Sequence, residues 1–109
     1  MIEILNYQLP NGRVPFEDWL MGLADKRARA AIYRRIDRIT LGNLGDHRFV
    51  QDGVWEVKVD VGGGYRVYYA QEGKTVILLL CAGSKRTQKA DIARAVNYWK
   101  DYLQHHDKS

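Results

Sequence analysis

Charged and apolar side chains alternate on both sides of a glycine-rich turn at 62–64, a pattern that is typical of a β-hairpin. Side-chain faces must match across paired strands, so the turn should have an odd-numbered loop. This register predicts that Lys58 lies opposite Arg66 and that Glu56 lies opposite Tyr68, all on the charged face of the hairpin. Two neighbouring cations on an open sheet face favour an anionic ligand.

An RNA phosphodiester is an anion that these side chains could both bind and cleave. Attack by the 2′-hydroxyl requires a base, positive charge on the phosphorane and a proton for the departing 5′-oxygen, and it needs no metal. Arg66 suits the second task, because guanidinium donates two hydrogen bonds to phosphate and stays charged. Neighbouring positive charge favours a neutral amine, so Lys58 is the candidate base. Lys85 or Arg86 would screen the phosphate or assist the leaving group. The ring of Tyr68 would stack on a nucleobase, at about 1–3 kcal/mol.

Several of these residues also have an ordinary structural explanation. Arg66 could form an exposed cross-strand ion pair with Glu56, which would contribute only about 0.2–1 kcal/mol. Lys58 could simply keep the sheet soluble or protect its edge. The cations at Lys85 and Arg86 oppose the dipole of the helix that is predicted to begin there, and this favours a phosphate-binding role.

Basic residues outnumber acidic ones by 17 to 13, which gives a formal net charge of +4. Most of the excess lies in two segments that are predicted to be helical: Lys26, Arg27, Arg29, Arg34, Arg35 and Arg38 in the first, and Lys85, Arg86, Lys89, Arg94 and Lys100 in the second. Such clusters indicate a polyanion or an acidic protein as partner, although solvated helix faces are also often basic.

Length and composition indicate one small intracellular domain. A chain of 109 residues can bury a single core, so we expect one domain over 1–109. The lone Cys81 excludes an internal disulfide and favours a reducing cytoplasm. The longest apolar block, Val76 to Ala82, is too short to span a bilayer, so no membrane partner is expected. His47, His105 and His106 show no metal-ligand spacing, so we predict no metal and no cofactor.

The elements that must position these residues follow from periodicity and breakers. In order, we predict a strand at 1–8, helices from Pro15 to about Ala24 and from about Asp25 to Leu41, a polar connection at 43–52, strands at 53–60, 65–70 and 74–81, a last helix after residue 87 and a frayed tail from about residue 104. The strand at 74–81 is apolar at both parities, which predicts a central strand covered on both faces. The expected fold class is α+β, with helices on one side of a twisted, mainly antiparallel sheet and part of the other face free.

Four segments also carry a resemblance to a known family: Phe16–Leu20, Gly42–Asp46, Gly64–Tyr69 and Gly83–Ala95. Together they resemble the addiction-module killer proteins, which are HigB-like members of the RelE/ParE toxin superfamily. The resemblance covers nearly the whole chain in order. It implies a bacterial or phage toxin of a type II toxin–antitoxin system, with an N-terminal helix pair and a C-terminal helix packed on an antiparallel sheet.

The resemblance implies one of two activities. Many RelE-like and HigB-like members cut messenger RNA in the ribosomal A site without a metal, whereas ParE-like members inhibit DNA gyrase and are not nucleases. The basic sheet face favours the first. The matching catalytic positions are Lys58, Arg66 and Lys85, and the expected RNA-binding residues are Glu56, Tyr68, Arg86 and Lys89. A nucleic-acid-binding module without catalysis remains a further alternative.

The resemblance also implies partners. It predicts a cognate antitoxin, a small HigA-like protein with a helix-turn-helix, whose acidic or apolar segment would cover the basic surface. The ribosome with its messenger RNA would be the target, and operator DNA would be contacted only through the antitoxin.

Overall fold

In a computed structural model, which describes residues 1–106, the chain forms an α+β domain with a five-stranded mixed sheet and three α-helices. The elements are β1 (Glu3–Asn6), α1 (Pro15–Met21), α2 (Lys26–Thr40), β2 (His47–Gln51), β3 (Val54–Val59), β4 (Tyr65–Glu72), β5 (Val76–Ser84), a 3-10 turn (Lys85–Thr87) and α3 (Gln88–His106). The strand order is β1-β5-β4-β3-β2. β1 pairs with β5 in parallel, and the other neighbouring strands are antiparallel.

The two N-terminal helices begin and end close to the predicted positions. α1 begins at Pro15, which tolerates the first helical position because its missing N–H needs no partner there. Asp25 caps α2 as predicted, since its side chain accepts hydrogen bonds from the N–H groups of Arg27 and Ala28. Gly42 follows the end of α2 with a φ of +92°, a left-handed conformation that favours glycine.

The helices lie on both faces of the sheet, which corrects the expectation that they share one side. Phe16 of α1 and Ile32 of α2 pack with Val57 and Val67 on one face. α3 covers the opposite face, where Ala95 and Val96 join the second core cluster. The cause is β5, whose buried residues alternate between the two clusters, so each face of the sheet needs its own helical cover.

The hairpin of β3 and β4 has the predicted register. Lys58 pairs with Arg66 and Glu56 pairs with Tyr68. The last pair before the turn is Val59 with Tyr65, so the loop is odd-numbered as expected. All four charged or polar side chains of the prediction therefore share one face of the sheet, and it is the face that α3 covers.

The segment 43–52, predicted as a polar connection, contains an edge strand instead. β2 pairs with β3, and Gln51 lies opposite Val54 across a two-residue turn. Asp52 and Gly53 both have positive φ, at +47° and +84°, which is the requirement of a type I′ hairpin turn. The prediction was wrong here because this Asp-Gly signal was not recognised.

β5 lies inside the sheet, between β1 and β4, as predicted for the apolar segment 74–81. A bulge shifts its register with β4, because Tyr68 pairs with Cys81 while Tyr69 pairs with Leu79. Leu80 and Cys81 consequently both face α3. At the C-terminus, α3 continues through residue 106, beyond the expected onset of fraying at 104, and the rest of that expected tail lies outside the described residues.

Candidate functional site

Two rows of paired residues cross the sheet on the face covered by α3. The first runs from Lys58 through Arg66 to Gly83, and the second runs from Arg48 through Glu56 and Tyr68 to Cys81; the members of each row are direct register partners on neighbouring strands. The side chains of each row are therefore neighbours, and the two rows lie two residues apart along each of the strands β3 and β4. The candidate site is built on paired strands, which hold these side chains in fixed positions.

Glu56 is the centre of this arrangement. Its side chain is buried, with 3 % of the residue exposed, yet three different elements supply partners for its carboxylate. Arg48 on β2 donates from Nε to Oε2 at 2.9 Å, and Gln88 on α3 donates from Nε2 to Oε1 at 3.1 Å. Arg66 on β4 places its Nε 3.4 Å from Oε2. These partners offset the cost of burying the negative charge.

Arg66 is buried rather than exposed, with 8 % of the residue accessible to solvent. It does form the cross-strand ion pair with Glu56 that the sequence left open, but as a buried pair. In the described part of the chain, the Nε of Arg66 has no hydrogen-bond partner despite its burial. The guanidinium is thus held by charge, and that buried donor is not committed to a hydrogen bond.

Lys58 and Arg66 line a cleft of about 300 Å³ together with Glu56 and Arg48. Lys58 is half-buried, and its backbone N–H donates to the carbonyl of Asp46, the residue just before β2. Three cations, Arg48, Lys58 and Arg66, and two carboxylates, Asp46 and Glu56, therefore converge in one small polar recess. Because Glu56 already has its own partners and the cations outnumber the carboxylates, the cleft presents positive charge to an incoming anion.

His47 also borders this cleft, and it lies on β2 rather than in the linker that was predicted. Its register partner is Val57, which belongs to the opposite face of the sheet. The imidazole accordingly contacts the ring of Trp55, with centroids 6.0 Å apart. The ring of His47 is therefore turned away from Glu56 and Arg66.

Tyr68 does not offer a ring face to a nucleobase, which corrects the expectation that it stacks on one. The residue is fully buried, at 0 % exposure, because α3 packs over it. Burial and the nearby carboxylates of Glu56 and Asp91 raise the pKa of the Tyr68 hydroxyl above its usual value. That hydroxyl has no hydrogen-bond partner among the described residues.

Lys85, Arg86 and Lys89 are exposed, the first two in the 3-10 turn and the third in the first turn of α3. They do not line the cleft formed by the described residues. Their connection to it is through the sheet, because Ser84 pairs with Tyr65 directly beside the row that contains Arg66. The segment 85–89, here called the rim of the cleft, adjoins it through Gln88, which donates to the cleft residue Glu56.

The start of α3 is fixed against the sheet by a second buried carboxylate. Asp91 accepts a hydrogen bond of 2.5 Å from the hydroxyl of Thr87 and another from Arg94. Gly83 leaves the space for this group, since a Cβ at that position would overlap with the carboxylate of Asp91. The rim of the cleft is therefore a packed structure and not a loose loop.

Two residues of the site were missed in the sequence. Arg48 was assigned to a loop, so its pairing with Glu56 could not be expected until β2 was recognised. Gln88 was treated only as part of a basic segment, and no local pattern indicates that it reaches β3. The Asp-Gly turn at 52–53 was the available signal for Arg48, because it defines the strand on which that arginine lies.

Among residues 1–106, no three side chains of His, Cys, Asp and Glu come together in a way that could hold a metal ion. No helix in the same range has both the length and the apolar character needed to cross a membrane.

Comparison with known proteins identifies the family of the chain. Residues 18–99 match the family described as phage-derived protein Gp49-like (DUF891). The chain is also 45 % identical over 80 residues to an uncharacterized protein of Haemophilus influenzae, an alignment that covers 73 % of this chain and 81 % of the relative. The chain therefore belongs to the phage-derived Gp49-like family, which is associated with the toxins of toxin–antitoxin systems.

Proposed function

We propose that this protein is the toxin of a type II toxin–antitoxin module and that it cuts messenger RNA on the ribosome, in the manner of RelE-like and HigB-like toxins. The cut would follow attack of the 2′-hydroxyl on the adjacent phosphate. The observation that carries the proposal is the cleft in which Lys58 and Arg66 are direct cross-strand neighbours beside a buried carboxylate.

Arg66 is proposed to stabilise the negative charge that develops on the phosphorane. Its buried Nε makes no hydrogen bond within residues 1–106, and its charged partner Glu56 is also held by Arg48 and Gln88. A phosphate oxygen entering the cleft can therefore take up a guanidinium donor without leaving Glu56 unpaired. A preorganised donor of this kind is worth about 3–4 kcal/mol of transition-state stabilisation.

Lys58 is proposed to remove the proton of the 2′-hydroxyl. It is the neighbour of Arg66 in the same row and lines the same cleft, so one phosphate can contact both side chains. Lys85 or Arg86, at the rim, would screen the phosphate or assist the departing 5′-oxygen, and Lys89 would contact flanking phosphates. Glu56 then acts by orienting Arg66, not by contact with a nucleobase.

The partners of the proposed toxin follow from its family. A toxin–antitoxin family implies a cognate antitoxin, and we propose a small helix-turn-helix protein of the HigA type, through which alone the complex would contact operator DNA. The site of action would be the cytoplasm, where ribosomes translate messenger RNA.

Mapping of transcript ends on translating ribosomes tests the proposal. Purified wild-type protein should produce new 5′ ends at codons in the A site, whereas Arg66→Ala and Arg66→Lys should not, because neither keeps the bidentate fork. Arg13→Ala is the matched control, since Arg13 is an exposed arginine before α1 that pairs with Asp18 within that helix. If transcripts stay intact while the supercoiling activity of gyrase falls, the nuclease proposal is wrong and the protein is a ParE-like gyrase inhibitor. If neither transcripts nor supercoiling change, the protein is a nucleic-acid-binding module without catalysis.

A further inference from the structure

The arginines of α2 divide into two sets with different surroundings. Arg29 and Arg35 turn inward and bind backbone carbonyls, with Nη2 of Arg29 3.2 Å from the oxygen of Leu23 and Nη1 of Arg35 2.9 Å from the oxygen of Lys58. Arg27, Arg34 and Arg38 are exposed. The first set has a structural role, whereas the side chains of the second form no hydrogen bond within residues 1–106.

The exposed set lies on one line along the helix. Positions 27, 34 and 38 are separated by seven and four residues, so they share one helical face over about 16 Å. None of the three forms an ion pair with any residue in 1–106. Like charges four residues apart destabilise a helix by about 0.2–0.5 kcal/mol. A line of unneutralised arginines at this cost indicates an external polyanion.

This face is at the same end of the sheet as the candidate cleft. Arg34 and Arg38 line a second recess of about 200 Å³ together with Val59, Asp60 and Val61, which directly follow Lys58 on the chain. The carboxylate of Asp60 forms no ion pair with either arginine in the described structure. The bond from Arg35 to the carbonyl of Lys58 fixes the helix at this place. A long polyanion can therefore contact both sites by passing around the end of β3.

We propose that Arg27, Arg34 and Arg38 form a second RNA-binding surface, which grips the phosphate backbone of folded RNA outside the cleft and takes no part in cleavage. The identification of the polyanion as RNA rests on the proposed function. Interfaces with nucleic acid are polar and strongly positive, whereas protein interfaces have an apolar centre. Ala30 and Ala31 are the residues between Arg27 and Arg34 on this side of the helix, and the large exposed apolar side chain of Tyr33 lies roughly 120° around it from Arg27.

Fluorescence anisotropy with a labelled RNA hairpin tests this surface. The hairpin carries 2′-O-methyl groups throughout, so it cannot be cut and binding is measured apart from cleavage. The variant replaces Arg27, Arg34 and Arg38 by Gln. The control replaces Arg13, Lys74 and Lys100 by Gln, three exposed basic residues outside α2, so both proteins lose the same charge. A polyglutamate peptide serves as an acidic protein probe.

The α2 variant should bind the hairpin roughly 10-fold or more weakly than the control variant, and the slope of log affinity against log salt should fall by about 2. Equal affinity and slope in the two variants would overturn the proposal. Loss of polyglutamate binding with unchanged hairpin binding would also overturn it and assign the surface to an acidic protein. Transcript mapping remains a separate measurement, so a protein that cuts nothing can still bind RNA here.

Discussion

Gln88, the first residue of α3, donates a hydrogen bond of 3.1 Å to Glu56 in the middle of β3. The same carboxylate is the charge partner of Arg66 on β4. One side chain thus couples the position of the covering helix to the position of the proposed phosphate-binding guanidinium. Any change that moves the start of α3 should consequently shift the side chains of Glu56 and Arg66 in the cleft.

Glu56→Ala should destabilise the fold strongly. Removing one partner of a buried ion pair leaves the other charge uncompensated, and Arg66 is nearly fully buried. A loss of about 3 kcal/mol in the free energy of unfolding is expected, measured by urea denaturation. Glu3→Ala, at an exposed position of β1, should change it by less than about 0.5 kcal/mol. Equal losses in the two variants would mean that the pair contributes nothing to the fold.

Gly83→Ala should displace the start of α3. The added Cβ would overlap with the carboxylate of Asp91 and come within 2.7 Å of the Thr87 hydroxyl, so either the helix shifts or the pair breaks. We expect a loss of about 1–3 kcal/mol by urea denaturation, together with weaker growth inhibition on expression.

Gly63→Ala is the matched control for this substitution. Nothing lies within 4 Å of a Cβ added at Gly63, and its φ is outside the left-handed range. It should be neutral or slightly stabilising, because alanine has less conformational freedom in the unfolded chain. A Gly83→Ala protein as stable and as toxic as Gly63→Ala would show that the packing around Asp91 is not tight.

The sequence alone predicted those parts of the fold that depend on local pattern. Alternation on both sides of a glycine turn determines the register, so Lys58 and Arg66 could be paired before any coordinates were known. The layers were predicted wrongly although a signal was present. The strand at 74–81 is apolar at both parities, and such a strand requires cover on both faces, the second of which α3 supplies.

The parts of the site that were not predicted depend on contacts between distant segments. Gln88 meets Glu56 from a position 32 residues away in sequence, and no periodicity reports such a contact. The burial of Tyr68 likewise depends on where α3 packs. Arg48 is an intermediate case, because the Asp-Gly turn that follows it does indicate a hairpin.

Tyr68→Phe should leave the free energy of unfolding unchanged or raise it slightly. The Tyr68 hydroxyl is buried without a hydrogen-bond partner in the described residues, so its removal relieves a desolvation cost. Tyr7→Phe is the contrasting variant, because the Tyr7 hydroxyl donates to Asp101 at 2.5 Å. That change should cost about 1.5–3 kcal/mol in urea denaturation. If Tyr68→Phe costs as much as Tyr7→Phe, the hydroxyl of Tyr68 has a partner.

Cys81 should make the fold sensitive to alkaline pH. Burial raises the pKa of its thiol to about 12, so between about pH 9 and pH 12 the folded state keeps a proton that the unfolded state has lost. The free energy of unfolding is therefore unaffected at lower pH and falls as pH rises through this window, by up to about 1.4 kcal/mol per pH unit.

Urea denaturation of the wild type and of Cys81→Ala at about pH 8 and about pH 10 measures this contribution. Each protein is compared with itself, so the cost of the smaller side chain cancels. The wild type should lose about 1 kcal/mol more than the variant between the two pH values. An equal loss in both proteins would place the thiol in contact with solvent.

Lys58→Arg separates a proton-transfer role from a purely electrostatic one. Arginine keeps the positive charge beside Arg66 but does not give up its proton in a protein. If Lys58 is the base, Lys58→Arg and Lys58→Met should both cut transcripts about 10²–10⁴-fold more slowly on translating ribosomes, with unchanged unfolding midpoints. Lys74→Met, in the turn before β5 and exposed, should cut at the wild-type rate. If Lys58→Arg keeps most of the wild-type cleavage rate, Lys58 acts by charge stabilisation. Another group in the cleft would then be the base.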